Sequence, residues 1–271
     1  MDFFQNILFA IIQGASELFP ISSVAHGVFT PYLFGWSLSP EFLKEHFLPY
    51  VVMLHLGTCM ALLVYFHADW LRMLRDLFQG RINKELLLVV SGTVPPCILG
   101  LLFEKPLRHI FSNVTSAAVF LIVNAGLLFL GERLRGRGSR RLQDVGVGQA
   151  FLIGCMQSLA LVPGFSRSGA SLVGGFWAGL SHAEAVRFSM LLATPVILGA
   201  TVLEAPRLFH ADVAGLFMQS LAGGMVAAVT AFISVTVMVR WFKRHEVDAM
   251  WPFSLYCLVM GTTVLAARML G

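Results

Sequence analysis

The chain has 271 residues, 57% of them hydrophobic and only 13% charged, and its mean hydropathy is +0.77. A soluble domain carries about 25% charged residues, so this balance excludes an ordinary water-soluble fold. The net charge of +4 is no argument for nucleic acid, because the basic residues gather in short stretches between apolar segments. In chain order, Phe3–Ile12 is apolar but too short to cross a bilayer, and Gln13–His26 is polar and broken by Pro20. Runs of about 18 apolar residues suggest membrane spans. Six segments meet or approach that length: Tyr50–Phe66, Leu86–Phe103, Val114–Gly131, Phe188–Leu203, Val213–Val239 and Trp251–Ala267. Asp2 and the absence of a basic n-region predict no cleavable leader. The four cysteines, Cys59, Cys97, Cys155 and Cys257, fall in separate apolar segments without CxxC spacing. They read as small buried hydrophobes, not as disulfides or metal ligands.

Basic residues cluster in three linkers: Arg72, Arg75, Arg81 and Lys84; Arg133, Arg135, Arg137, Arg140 and Arg141; and Arg240, Lys243 and Arg244. Short loops rich in Lys and Arg stay cytoplasmic, which sends loops 104–113 and 204–212 outward. Segment 142–187 must then start and finish on the cytoplasmic side, so it predicts a helix–loop–helix that dips in and returns, turning near Pro163–Ser166. Residues 1–48 enter and leave from the outside by the same logic. The fold expected is an all-α polytopic membrane protein with six transmembrane helices and two re-entrant helical hairpins in an inverted-topology repeat. Its divisions are a first repeat 1–132 (hairpin 1–48 plus three spans), a basic cytoplasmic linker 133–145, and a second repeat 146–271 (hairpin 146–181 plus three spans). Gln5 and Gln13 are eight residues apart, as are Gln149 and Gln157, and a proline then serines follow in each half. Inverted repeats with broken helices bind near the midplane, where the interruptions meet. Gln13, Glu17, Ser22, Ser23 and His26 are therefore expected to face Ser166, Arg167 and Ser168.

The run Pro163-Gly164-Phe165-Ser166-Arg167-Ser168-Gly169-Ala170-Ser171 places an arginine at membrane depth, where a charge is costly and marks function. A guanidinium grips phosphate through two parallel hydrogen bonds, and nearby serines and backbone N–H groups add donors. Glu17, four residues after Gln13, has three readings: it holds a divalent cation, acts as a general base, or pairs with Arg167 for structure alone. His26 is a candidate acid, base or nucleophile. Ser22, Ser23, Ser166 and Ser168 are candidate nucleophiles or phosphate donors. Gly164 and Gly169 are assigned to anion access, and Gly174, Gly175 and Gly179 to helix packing. His55 and Asn124 read as mid-span residues bonded to neighbouring helices, and Glu184 and Arg187 as a cap and a surface pair.

The stretch Gln13-Gly-Ala-Ser-Glu17-Leu-Phe-Pro-Ile-Ser-Ser23-Val-Ala-His26 resembles the first signature of bacterial undecaprenyl-diphosphate phosphatases of the bacitracin-resistance type, a Glu/Gln-xxx-Glu pair followed by Pro-x-Ser-Ser and a histidine. Pro163–Ser171 is similar to the second, Pro-Gly-x-Ser-Arg-Ser-x-x-Thr. The resemblance covers essentially the whole chain. It implies hydrolysis of undecaprenyl diphosphate to the monophosphate and inorganic phosphate, which recycles the carrier for peptidoglycan synthesis and confers bacitracin resistance. It also implies the bacterial cytoplasmic membrane, with a site opening to the periplasm. Carried over by residue, Glu17 is the essential carboxylate, His26 the acid/base, Ser23 the candidate nucleophile and Arg167 the phosphate-binding cation. Gln13, Ser22, Gly164, Ser166, Ser168, Gly169 and Ser171 line the substrate. A divalent cation, Mg2+ or Ca2+, is implied on Glu17 with Gln13. The implied partners are the polyprenyl diphosphate lipid and the bilayer, and homo-oligomerisation is left open. Three departures stand out: Gln13 at the first acidic position, Val24-Ala25 for Thr-Gly, and Ser171 for threonine. The reading from another class is a secondary transporter or lipid flippase, whose hallmark is the same repeat. The other membrane lipid-phosphatase superfamily is set aside, because no Pro-Ser-Gly-His occurs.

Overall fold

The computed structural model describes residues 2–38, 42, 46–103, 113–134, 138–209, 216–245 and 248–270, with backbone alone at 205–209 and 216. Its helices are α1 (Phe3–Ser16), α2 (Ser23–Leu33), α3 (Phe47–Tyr65), α4 (His67–Phe78), α5 (Lys84–Leu102), α6 (Val114–Arg133), α7 (Val147–Gln157), α8 (Arg167–Trp177), α9 (His182–Phe209), α10 (Leu216–Arg244) and α11 (Trp251–Leu270). Short 3-10 turns occupy Leu142–Asp144 and Ser158–Leu161. Extended pairing among the described residues is limited to one bridge, Arg140 to Leu180.

Six helices are long and apolar enough to cross a membrane: α3, α5, α6, α9, α10 and α11. They coincide with the six expected segments and run a few residues further at most ends, because helical hydrogen bonding continues into the polar edge of each span. The short helices have local causes. Asp2 and Gln5 form a capping box that starts α1, satisfying backbone donors that the helix leaves free. Asn83 and Asn113 cap α5 and α6 through their side-chain oxygens. Large exposed apolar side chains such as Leu102, Val202 and Val229 would be a liability in water, but they suit a hydrocarbon surround.

Packing centres on α3, the most enclosed of the spans, which lies against α10, α9 and α1. Small residues bring the backbones together. A Cβ on Gly57 would stand 1.9 Å from the Gly224 carbonyl oxygen, so α3 and α10 touch backbone to backbone. A Cβ on Gly14 of α1 would stand 2.5 Å from the Ala227 carbonyl oxygen of α10, and one on Gly154 of α7 2.2 Å from that of Gly92 of α5. α6 packs on α11 and receives both α2 and α8 on its other contacts.

Two readings need correction. The first basic linker is not a loop: His67–Phe78 forms helix α4, with Met73 buried and Leu71, Leu77 and Phe78 exposed. Its charges, read alone, conceal a 3.6-residue apolar pattern of the kind that lies along a membrane interface. Arg187 is more than a surface partner of Glu184. It reaches Asp69 at 2.7 Å and Glu85 at 2.6 Å, and Arg72 joins the same two carboxylates, so α4, α5 and α9 are tied together. Arg135, Arg137 and residues 104–112 and 210–212 lie outside the described residues, and the expected loop 204–212 is helical as far as Phe209.

The α3–α10 contact generates a prediction. Gly57→Val forces the two backbones apart, and overpacking of this kind costs about 1–3 kcal/mol. Thermal unfolding in detergent should show a lowered Tm; an unchanged Tm would mean that the helices are not in backbone contact.

Candidate active site

The site grows from two breaks in helical structure. After α1 the chain turns through Glu17–Ser22 and re-enters a helix at Ser23; after the 3-10 turn it passes Pro163-Gly164 and re-enters at Arg167. Both new helices are started by a capping serine. Ser22 Oγ accepts from Ala25 N at 3.4 Å, and Ser166 Oγ accepts from Gly169 N at 3.1 Å. The next residue in each case, Ser23 or Arg167, is therefore the first residue of an 11-residue helix, where the peptide dipoles leave partial positive charge. Ser22 takes φ of 64°, a strained choice for a residue with a side chain.

Glu17 joins the two breaks. Arg167 Nη2 donates to its Oε1 at 3.0 Å, and Ser23 Oγ donates to its Oε2. Gln13 Nε2 donates to Oε2 at 3.1 Å, and His55 Nε2 of α3 lies 2.8 Å from the same oxygen. Glu17 is 6% exposed and Ser23 7%. An isolated carboxylate at that depth would cost several kcal/mol, and only paired, hydrogen-bonded neighbours offset it. Arg167 keeps unused capacity: its Nε is buried with no partner, and Nη1 makes only a 3.5 Å contact with the Ser189 carbonyl.

The turns are stitched to each other as well. Ser168 Oγ donates to the Phe19 carbonyl at 2.9 Å and lies 3.1 Å from Ser166 Oγ. Asn124 of α6 is fully buried between them: its Nδ2 donates to the Pro20 carbonyl at 3.2 Å, and its Oδ1 accepts from Ser166 N at 3.0 Å.

Gln13, Glu17, Ser23 and Arg167 are thus brought together as expected, and the turns carrying Ser22, Ser166 and Ser168 meet. Other placements differ. His26 does not bond into the carboxylate cluster. Its Nδ1 donates to the Ser22 carbonyl at 2.8 Å, and its Nε2 lies 2.6 Å from the Tyr256 hydroxyl, with the two rings stacked. Ser171 turns toward α9, 2.7 Å from Ser189 Oγ. Gly164, expected to admit an anion, has φ of +111°, and a Cβ there would strike Phe120 and the Ala117 carbonyl of α6, so it serves the turn and its packing. Gly169 is likewise packed on Leu128 and Pro20, and its N–H is spent on Ser166.

Gln13 Oε1 is a buried oxygen without a partner, but Glu17 is the sole carboxylate in the cluster and its two oxygens already face Arg167, Ser23, Gln13 and His55. Among the described residues, no group of three or more His, Cys, Asp or Glu comes together. These side chains do not fit a resident divalent cation on Glu17 and Gln13, and no step is routed through one.

Sequence reasoning missed the placing of His55, Asn124 and Tyr256 at the site. Each is a polar residue in a largely apolar span, and that was the available signal.

The geometry defines a class: a helical membrane protein with a buried carboxylate, serine and arginine converging from two helix starts. Residues 6–263 match the model of the family described as bacitracin resistance protein BacA. The chain belongs to this family. It is 53% identical over 269 residues to "Undecaprenyl-diphosphatase 2" of Oenococcus oeni, covering 99% of each chain. It is 43% identical to "Undecaprenyl-diphosphatase" of Granulibacter bethesdensis, covering 98% of this chain and 97% of the relative. A further "Undecaprenyl-diphosphatase", of Acidiphilium cryptum, is 43% identical over 96% of this chain.

Asn124→Leu tests the clamp between the turns. It leaves the Pro20 carbonyl and Ser166 N–H without their partner, at about 1–3 kcal/mol for each buried group. A clear drop in Tm in detergent is expected, and wild-type stability would contradict the clamp.

Proposed function

We propose that this protein is an integral-membrane undecaprenyl-diphosphatase, hydrolysing the lipid diphosphate to undecaprenyl phosphate and inorganic phosphate, and so recycling the carrier for peptidoglycan synthesis. One observation carries the reading: in a chain that matches the family along its length, the motif residue Glu17 contacts both Ser23 and Arg167. The transporter or flippase alternative is not favoured. The proposed setting is the bacterial cytoplasmic membrane with the site open to the periplasm.

The arrangement supports the inverted repeat and its re-entrant hairpins. α1 lies on α10 as α7 lies on α5, while α3 meets α9 and α6 meets α11. Those pairings are the ones expected where two halves are related by a two-fold axis, which the proposed inverted repeat puts in the membrane plane. In this reading α1–α2 and α7–α8 are the hairpins.

Catalysis follows from the contacts. The terminal phosphate takes the free Nε edge of Arg167, beside the positive ends of α2 and α8. Glu17 Oε2 accepts the Ser23 proton as Oγ bonds to the terminal phosphorus. The bridging P–O bond breaks, and undecaprenyl phosphate leaves with the electron pair. Glu17 passes the serine proton to solvent, then takes one from the water that attacks the phosphoserine and returns it to Ser23 Oγ as inorganic phosphate leaves. His26, at the Tyr256 side of the site, is assigned proton transfer to the departing lipid phosphate. Most of the rate gain comes from positioning and charge stabilisation.

Phosphate release from undecaprenyl diphosphate by purified protein in detergent tests the reading, since no vectorial transport exists there. Wild type should turn over, and Arg167→Ala should lose activity. A folded wild type that releases nothing would overturn the assignment. Arg167→Lys should fall by about 100-fold or more in kcat/KM, because a point ammonium cannot replace the planar fork; near-normal turnover would remove the arginine from phosphate binding. Ser23→Ala should fall similarly and trap no phosphoenzyme. Undiminished release would leave water as the direct nucleophile.

A further inference from the structure

His55 stands in the middle of α3, partly buried, and the proposed reaction does not use it. Its Nδ1 donates to the Val51 carbonyl at 2.8 Å, one turn back on the same helix, so the ring orientation is fixed by its own backbone. Its Nε2 faces Glu17 Oε2 at 2.8 Å, closer than the 3.1 Å approach of Gln13 Nε2 to that oxygen. The two carboxylate oxygens therefore have different neighbours: Oε1 takes Arg167, and Oε2 takes His55, Gln13 and Ser23.

This division is not the one a carboxylate and a guanidinium adopt by themselves. Their favoured arrangement is a fork of two parallel hydrogen bonds. Here Arg167 uses Nη2 on one oxygen only, and its Nε stays without a partner. Something must hold Oε2 away from the arginine. Gln13 contributes, but as a neutral amide at the end of a flexible side chain. His55 is planar, tied to its own helix and mounted on the most enclosed span, which backbone contact locks against α10 through Gly57.

We infer that His55 is a positioning residue for the proposed phosphatase: it holds Glu17 Oε2 toward Ser23 and so keeps the Nε edge of Arg167 free for phosphate. The inference rests on the phosphatase reading. Without His55 the carboxylate swings onto the guanidinium, Ser23 loses its proton acceptor, and the phosphate loses its cationic edge. Both losses strike one geometry, held from a helix that carries none of the motif residues. An imidazole that only filled space would have no such effect.

The test compares wild type, His55→Leu and His55→Gln in phosphate release from undecaprenyl diphosphate in detergent, with Tm measured on each. Leucine fills about the same space without a donor, whereas glutamine restores an N–H donor to reach Glu17. His55→Leu should lower kcat by about 10–100-fold, the usual effect of removing a group that orients a functional side chain. It should also raise KM for the lipid. His55→Gln should recover most of the lost kcat at a Tm similar to that of His55→Leu. Turnover of His55→Leu within about twofold of wild type would overturn the inference alone. So would equal damage in both variants when both are folded. A folded wild type without turnover would overturn the phosphatase reading, and this assignment with it.

Discussion

Removing a carboxylate and a guanidinium from water costs several kcal/mol per ion unless each finds close, well-directed partners. Here those partners come from opposite halves of the chain. Glu17 and Arg167 are 150 residues apart and meet at 3.0 Å, so the two halves share one buried charge pair. The rest of the site follows from that constraint. Ser166, Ser168 and Asn124 hold the turns edge to edge, and the glycines allow helices to approach closely enough for short polar side chains to span the gap. The pair also leaves capacity over, because one edge of the guanidinium is unclaimed.

The membrane setting explains why the polar groups around Glu17 and Arg167 are enclosed. Unsatisfied polar groups are expensive in hydrocarbon, so the spans aim polar side chains at partners inside the protein and leave large apolar ones exposed. His55, Asn124 and Tyr256 are such contributions, and each bonds to a group in one of the two turns or their flanking helices. In the proposed re-entrant arrangement the turns are tolerated at membrane depth because most of their residues are buried or half-buried in protein. Two helices beginning at this point, each with a capping serine, concentrate positive dipole ends where a diphosphate would lie.

Much of this was legible in the sequence, for physical reasons. An apolar run of span length has few alternatives, so all six spans were readable. The polar runs around Glu17 and Arg167 stood out because charge inside apolar sequence needs a cause. Other features were not readable. Helix α4 was hidden because its charges dominated a reading of its apolar stripe. His55 reaches Gln13 across 42 positions, and His26 reaches Tyr256 across 230; no local pattern encodes either approach. Gly164 and Gly169 looked suited to anion access, but their use depends on how closely α6 packs, which is a property of the assembled bundle. The chemistry was thus more visible than the framework that aims it.

A double-mutant cycle on Glu17→Gln and Arg167→Met, read as unfolding free energy in detergent, tests the central constraint most directly. If the pair holds the two turns together, each single change leaves a buried partner exposed to its full desolvation cost, and the double change costs less than the sum by about 0.5–3 kcal/mol. Additivity within about 0.5 kcal/mol would mean that the two charges do not depend on each other, and would contradict the account.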